Sequence, residues 1–389
     1  MSGSTTGILQ ANTLTRPGYS RQSRPLPPLL VLAIDLQLPI KQFDVKSAFL
    51  FAPLEEEIYI KTPEGSKRKA PFLKTDEFQE LFLNRFPNSS AHEPDTLLGM
   101  DLDIKPDSIG LGQQSLIMKG LEMLDMVNCK SVKTPLTPST QLHAATDEDH
   151  QEFLKLNVNY RTYTGILNYL ACRTRPDLAS AVSLLSRFNQ RPGISHWKEM
   201  LHCWKYLKGT QDLGLLLKPN VNSLSRRVQF YTDATWAEDQ ETRVSQSGSI
   251  AFWKSCPILW NSKKQKNITL SSTESEMNAL SDGEQENQWL TFLLEELWKQ
   301  KLDPTVFHVD NRGIMEKLKH FGLNSKTKHL DIKIKNLRDK FMKKEIDVKL
   351  VPSGVMIADS LSKAAPHSSV KKLQDRCLLV ISPSNKEGC

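Results

Sequence analysis

Apolar and polar positions recur with different periods along this chain, and the changes of period divide it. Residues 1–28, rich in Ser, Thr, Pro, Gly and Arg, show no period and read as a disordered lead-in. From Leu29 the chain turns apolar. A helix-like piece, Leu29 to Leu38, precedes a strand-like one at Gln42 to Asp44, and Lys67-Arg68-Lys69 interrupts before an amphipathic segment, Thr75 to Phe86. Residues 87–150 mix short strands with polar loops. Residues 158–210 are helical: Trp197, Leu201, Trp204 and Lys208 share one face, with Met200 and Leu207 beside them. Pro176 starts a second helix, Asp177 to Asn189, which Arg191-Pro192-Gly193 ends. The plain expectation for this stretch is a helical hairpin packing its own core.

Beyond residue 227 the pattern changes again. Val228 to Asp233 reads as a strand, and Gly248–Trp253 and Ile258–Trp260 follow as short strands of a meander. Ser271 to Trp298 is a long helix. Thr305 to Asp310 is a strand running into a helix at Ile314 to Lys319; a basic helix, Leu330 to Lys344, leads to the strand Ile346 to Val351. A last helix spans about Val355 to Lys363, and the polar tail after Pro366 is expected to be loose. The order β-β-β-α-β-α-α-β-α implies an α/β fold with a mixed sheet flanked by helices.

Composition narrows the options. A hydrophobic share of 39% and a charged share of 24% over 389 residues suit two or three globular domains. The net charge of +7 is weak support for a polyanionic partner. Six scattered cysteines, with no C-x-x-C pair, make a zinc site or disulfide framework a poor expectation and fit a reducing intracellular compartment. No secretory signal is recognisable at Met1 to Ile8. The apolar run Leu29 to Ile34 stops at Asp35, too short to cross a bilayer, so no membrane association is expected.

Four acids carry candidate chemistry. Asp233 ends the first strand of the C-terminal region and Asp310 the fourth; if those strands are parallel neighbours, the two carboxylates meet at the carboxyl edge of the sheet. Asp359 lies in the last helix. The long helix offers two candidates: Ser271-Ser272-Thr273-Glu274 is a capping box that makes Glu274 a structural residue bonded back to the helix start, but Thr273-Glu274-Ser275-Glu276 fits the same formula. Phase separates them. Glu276 lies one turn before Leu280 on the buried stripe, whereas Glu274 is rotated ~160° from Leu280, at ~100° per residue, toward solvent. Glu276 is therefore the predicted site residue. Bunched carboxylates repel and raise one another's pKa unless cations bind between them. Two Mg²⁺ ions about 3.5–4 Å apart, held by oxygen ligands, serve phosphodiester hydrolysis.

The residues around these acids carry a resemblance. Tyr231-Thr232-Asp233-Ala234-Thr235-Trp236-Ala237, Ser271-Ser272-Thr273-Glu274-Ser275-Glu276, Val309-Asp310-Asn311 and Ala358-Asp359-Ser360-Leu361-Ser362-Lys363 resemble the active-site blocks of copia-type retrotransposon RNase H domains. The resemblance implies catalytic, metal-binding roles for Asp233, Glu276, Asp310 and Asp359. It implies two Mg²⁺ ions, or Mn²⁺ in their place, and an RNA–DNA hybrid as substrate. Lys326-Thr327-Lys328-His329 resembles the family's basic segment, so Lys326, Lys328 and His329 are expected on the hybrid's backbone, together with Lys263, Lys264 and Lys266. Tyr160-Arg161 through Gly165, Thr174-Arg175-Pro176-Asp177 and Tyr206-Leu207-Lys208-Gly209-Thr210 are similar to the segment joining polymerase and nuclease. Phe43 to Leu50 looks like the polymerase palm block, which makes Asp44 a vestigial catalytic acid.

Departures limit the resemblance: the polymerase fingers are not recognisable, and Lys335 stands where the family usually has a histidine. A polymerase of this family needs a Tyr-x-Asp-Asp turn, and no Asp-Asp dipeptide occurs anywhere in the chain. The expectation is thus a lead-in (1–28), a truncated reverse-transcriptase palm remnant of α+β type (29–112), a largely helical connection (113–222), an RNase H-like domain (223–365) and a tail (366–389). RNA-directed DNA synthesis is expected to be lost. The alternative is an inactive nucleic-acid-binding relic of a degenerate retrotransposon. A cytoplasmic particle or the nucleus is the expected location.

Overall fold

The computed structural model describes residues 26–45, 75–85, 89–220, 226–319 and 328–381. In chain order the first elements are α1 (Leu26–Asp35), β1 (Gln42–Val45), α2 (Thr75–Arg85), β2 (Ser89–His92), β3 (Thr96–Leu97), β4 (Met100–Lys105) and β5 (Ser108–Gly112). Then come α3 (Gln114–Met123), α4 (Asp147–Lys155), α5 (Tyr160–Arg173), α6 (Ala179–Leu185), α7 (Ile194–Lys208) and β6 (Leu213–Leu217). The remainder is β7 (Val228–Thr235), β8 (Val244–Trp253), β9 (Cys256–Ile268), α8 (Ser272–Trp298), β10 (Thr305–Val309), α9 (Arg312–Lys319), α10 (Lys328–Met342), β11 (Ile346–Leu350), α11 (His367–Cys377) and β12 (Leu378–Val380).

Two five-stranded sheets organise these elements. One runs β11-β10-β7-β8-β9: an antiparallel meander β7-β8-β9, with β10 parallel to β7 and β11 parallel to β10. The return from β9 to β10 goes through α8, and that from β10 to β11 through α9 and α10, as parallel crossovers require. Phe230 on β7 pairs with Phe307 on β10, and their rings stack at 5.2 Å beneath α8. Gly283 lets α8 approach β7 closely, since a Cβ there would sit 2.9 Å from the Thr232 side chain.

The other sheet, β12-β6-β5-β4-β3, is antiparallel throughout. Helix α1 lies between the two sheets. Leu30, Val31 and Leu32 join Ile109, Leu111, Leu215 and Leu217 from one sheet, and Ile258, Leu290 and Leu294 from the β9 and α8 side, in a single core. Burial on several sides explains why α1 is apolar all round rather than striped. At its end, Asp35 pairs with Lys254 at 2.5 Å, and Lys254 sits over the Trp298 ring.

A second core lies among α3 to α7, with Trp197, Met200, Trp204 and Leu207 on the buried face of α7. Leu201 and Lys208 fall at that face's half-buried margin.

Several stretches differ from the sequence expectation. Helix α3 takes up residues read as strand and loop. Strands β8 and β9 run much longer than predicted. Inward positions of the added lengths are polar but bonded: Gln265 donates to Ser247 Oγ and the Ser275 carbonyl, so no hydrophobic alternation marks them. The expected last helix is instead two 3₁₀ turns, Ser353–Val355 and Ile357–Leu361. The expected loose tail is α11 and β12, with Val370, Leu373 and Cys377 buried and β12 paired to β6. As for the palm remnant expected over residues 29–112, its described strands β3 to β5 complete a sheet with β6 and β12, while α1 belongs to the core beneath β9 and α8.

Candidate metal centre

Asp233 is not the last residue of β7. It stands two positions before the strand ends, opposite Gly248 of β8, and is 8% exposed. Asp310 directly follows β10, and the parallel pairing of β7 and β10 brings both acids to the same edge. Glu276 reaches that edge from the first turns of α8. One oxygen from each of Asp233, Glu276 and Asp310 lies within 4.8 Å of the other two.

Neighbours fix these carboxylates. Ser362 Oγ donates to Asp233 Oδ2 at 2.6 Å. Asn311 Nδ2 donates to Glu276 Oε1 at 3.0 Å, while Asn311 Oδ1 accepts the Gly313 amide at 2.8 Å and so caps α9. Glu276 Oε2 is buried and has no hydrogen-bond partner.

The electrostatics follow from this crowding. Burial, reinforced by Asp310 and Asp359 and opposed by the Ser362 hydrogen bond, lifts the Asp233 carboxyl to about 6. Burial, with Asp310 and Asp233 adding to it and Asn311 opposing, lifts Glu276 to about 7. A buried carboxylate oxygen with no donor, beside two further acids, fits a hard divalent cation held by oxygen ligands.

Asp359 lies in the 3₁₀ turn Ile357–Leu361, close enough to raise Asp233, and is bonded to Lys363 Nζ. It is not one of the three acids whose oxygens converge. The turn rests on β8 at Gly248, where a Cβ would stand 2.8 Å from the Ala358 carbonyl oxygen. Glu274, expected toward solvent, is buried: its carboxylate folds back to accept the Leu270 amide at 2.8 Å. Glu276 and not Glu274 faces the acids on the strands.

The expected nucleic-acid contacts divide. Lys263 and Lys266 are exposed on β9. Lys264 is committed to Asp239 at 2.5 Å, in a cluster with Arg187 and Glu238 that ties β9 to the helical region. Lys326 lies outside the described residues; Lys328 and His329 open α10, with side chains outside what is described. Asp44 lies on β1 opposite Ser90, its side chain likewise outside what is described.

Sequence reasoning gave Asn311 and Ser362 no role, although both stand in the blocks that carry the resemblance. An Asn one residue before a helix is a recognisable cap signal. Nothing local in the sequence pairs Ser362 with Asp233.

No protein-family profile matches the chain. The Retrovirus-related Pol polyprotein from transposon RE2 of Arabidopsis thaliana is 29% identical over 405 residues, covering 86% of this chain and 27% of that protein. The chain thus spans about a quarter of the length of that curated relative. Secreted RxLR effector protein 161 of Plasmopara viticola is 42% identical over 135 residues, covering 35% of this chain and 93% of that protein. Among solved structures, LC11-RNase H1 in complex with an RNA/DNA hybrid matches at 14% identity and a TM-score of 0.29, covering 36% of this chain and 96% of its own. That likeness bears no weight beside the long sequence match: over 86% of its length, this chain's relatives are copia-type retrovirus-related Pol polyproteins.

Proposed function

We propose that the chain is a retrotransposon Pol segment that hydrolyses the RNA strand of RNA–DNA hybrids with Mg²⁺, Mn²⁺ serving in its place. The observation that carries this reading is the convergence of Asp233, Glu276 and Asp310, with Glu276 Oε2 buried and unpartnered. These three residues would hold the cation and Asp359 would complete the set. A bound divalent cation supplies charge for an attacking water and for the leaving oxygen of a phosphodiester.

The chain's own residues prepare the site. Ser362 orients Asp233, and Asn311 fixes Glu276 through Oε1, leaving Oε2 buried without a hydrogen-bond donor. At neutral pH Glu276 is partly protonated without a cation, so binding displaces a proton from its carboxylate. Lys263 and Lys266 offer exposed charge for a phosphate backbone. DNA synthesis is not proposed: Asp44 has no Asp-Asp partner anywhere in the sequence. Among the described residues no helix is long and apolar enough to cross a membrane.

The test is cleavage of an end-labelled RNA–DNA hybrid by the full chain, with Mg²⁺ or with EDTA, beside Asp310→Asn. Cutting that needs the metal and is lost in the variant supports the reading. A folded protein that binds the hybrid and never cuts it belongs to the alternative, a relic that retains binding alone.

A further inference from the structure

Two sequence blocks singled out upstream of the nuclease, Thr174 to Asp177 and Tyr206 to Thr210, meet in the interior. Arg175 is fully buried and forks onto Asp177, with Nε 2.9 Å from Oδ1 and Nη2 2.7 Å from Oδ2. Its remaining donors reach the Thr210 carbonyl at 2.9 Å and the Thr210 hydroxyl at 2.8 Å. The Tyr206 hydroxyl donates to Asp177 Oδ2 and accepts from Gln374 Nε2 at 2.7 Å. Gln374 joins this network from beyond the nuclease sheet, on α11.

The placement of α11 gives the network a consequence. The turn carrying Asp359 is packed on one side against β7 and β8, and on the other against α11, α6 and the 3₁₀ turn Pro176–Leu178 that carries Asp177. Past the turn, Ala364 and Ala365 are buried among the connection helices, and the Ala364 carbonyl accepts the Ser139 amide at 3.0 Å. The Asp359 turn is therefore held between the sheet and a wall built from residues outside 223–365. A buried ion pair of this kind adds little net stability, and fixing one geometry of the wall is the use its hydrogen bonds suit.

We propose that the Arg175–Asp177–Tyr206–Gln374 clasp is a positioning device that sets Asp359 over Asp233, so that the connection region and α11 are working parts of the metal centre. This rests on the nuclease reading for its functional meaning, but its structural claim does not. Gln374→Met is the clean variant, because Tyr206 still donates to Asp177 and the side-chain volume is kept; Tyr206→Phe is the second.

Both are made in the full chain, and amide hydrogen exchange is followed at residues 357–362 with α5 as the internal reference. Mn²⁺ binding is measured by titration, and hybrid cleavage is split into kcat and KM. The expected result is at least tenfold faster exchange confined to the 357–362 turn, a five- to tenfold weaker Mn²⁺ affinity, and a fallen kcat with KM unchanged. Exchange that is unaltered at the turn, or rises equally in α5, overturns the proposal, as does unchanged Mn²⁺ affinity. If the wild-type chain cuts no hybrid, the nuclease reading fails, while exchange and Mn²⁺ binding still decide the clasp.

Discussion

Asn311 donates to Glu276 Oε1 at 3.0 Å while accepting the Gly313 amide at 2.8 Å, so one side chain both caps α9 and aims a carboxylate on α8. The two jobs separate by substitution. Asn311→Ala loses both, and the lost cap costs about 1 kcal/mol. A neighbour that orients a metal-binding carboxylate is worth about 10–100-fold in metal affinity or activity, and a loss of that size is expected. Asn311→Asp keeps the cap but sets an oxygen against Glu276, so it should bind Mn²⁺ poorly while melting near wild type. Wild-type Mn²⁺ affinity in Asn311→Ala would remove Asn311 from the site.

The raised carboxyls make metal-free stability depend on pH. Asp233 moves from 3.8 to about 6 and Glu276 from 4.5 to about 7, so the folded chain binds these protons more tightly than the unfolded chain. Their stabilising contribution is whole below about pH 4 and is lost as pH rises through 6 to 7. Each tenfold difference in proton affinity between the folded and unfolded chain is worth about 1.4 kcal/mol. In EDTA the melting temperature should fall between about pH 5 and pH 8, and Asp233→Asn with Glu276→Gln should flatten that fall. Added Mg²⁺ should raise the melting temperature far more at the upper pH than at the lower. A wild-type profile as flat as the double variant's would contradict the crowding argument.

Much of the C-terminal sheet was legible because its strands and helices carry unmixed periods, as Val228 to Asp233 and the Leu280–Leu290–Leu294 stripe do. Helical phase, which depends on local spacing, singled out Glu276, whereas the meeting of Asp233 and Asp310 was only conditional, because the parallel pairing of β7 with β10 joins residues far apart in the chain. What escaped was set by distant partners. The polar second half of β9 stays in the sheet because β8 and α8 bond Gln265 and Asn261, the latter through Glu286. Glu274 is buried because the chain before α8 folds over it, which the phase of an isolated helix does not contain. In α11 the apolar spacing of Val370, Leu373 and Cys377 is helical, but Lys, Gln, Asp and Arg between them hid it.

Gly248 offers a test of the Asp359 turn from the opposite side. A methyl group there would come 2.8 Å from the Ala358 carbonyl oxygen and 2.8 Å from Leu361 Cβ, so the turn must lift off β8. Gly248→Ala is expected to cost about 1–3 kcal/mol, the range for overpacking, in thermal or urea unfolding. If Asp359 contributes from this position, cleavage should fall by more than the unfolded fraction accounts for, with hybrid affinity in Ca²⁺ retained. Full activity in a folded Gly248→Ala protein would mean that the height of the turn is immaterial.

Helix α1 makes the strongest prediction about what folds as a unit. Leu30 and Val31 are 4% and 0% exposed, in the same core as Ile258, Leu290 and Leu294 of β9 and α8. A fragment confined to residues 226–365 would bare that apolar face and leave Lys254, which lies over the Trp253 and Trp298 rings, without its Asp35 partner. The fragment should bind a hydrophobic dye and lack a cooperative melt, and a synthetic peptide spanning residues 26–35 should suppress the dye signal. In the full chain, Leu30→Ala should cost about 2–5 kcal/mol, the range for a buried Leu truncation. The melt of tryptophan fluorescence should then shift as one transition, because α1 shares its core with the β11-β10-β7-β8-β9 sheet. A fragment of residues 226–365 that melts cooperatively at the full chain's temperature would show that α1 only decorates that sheet.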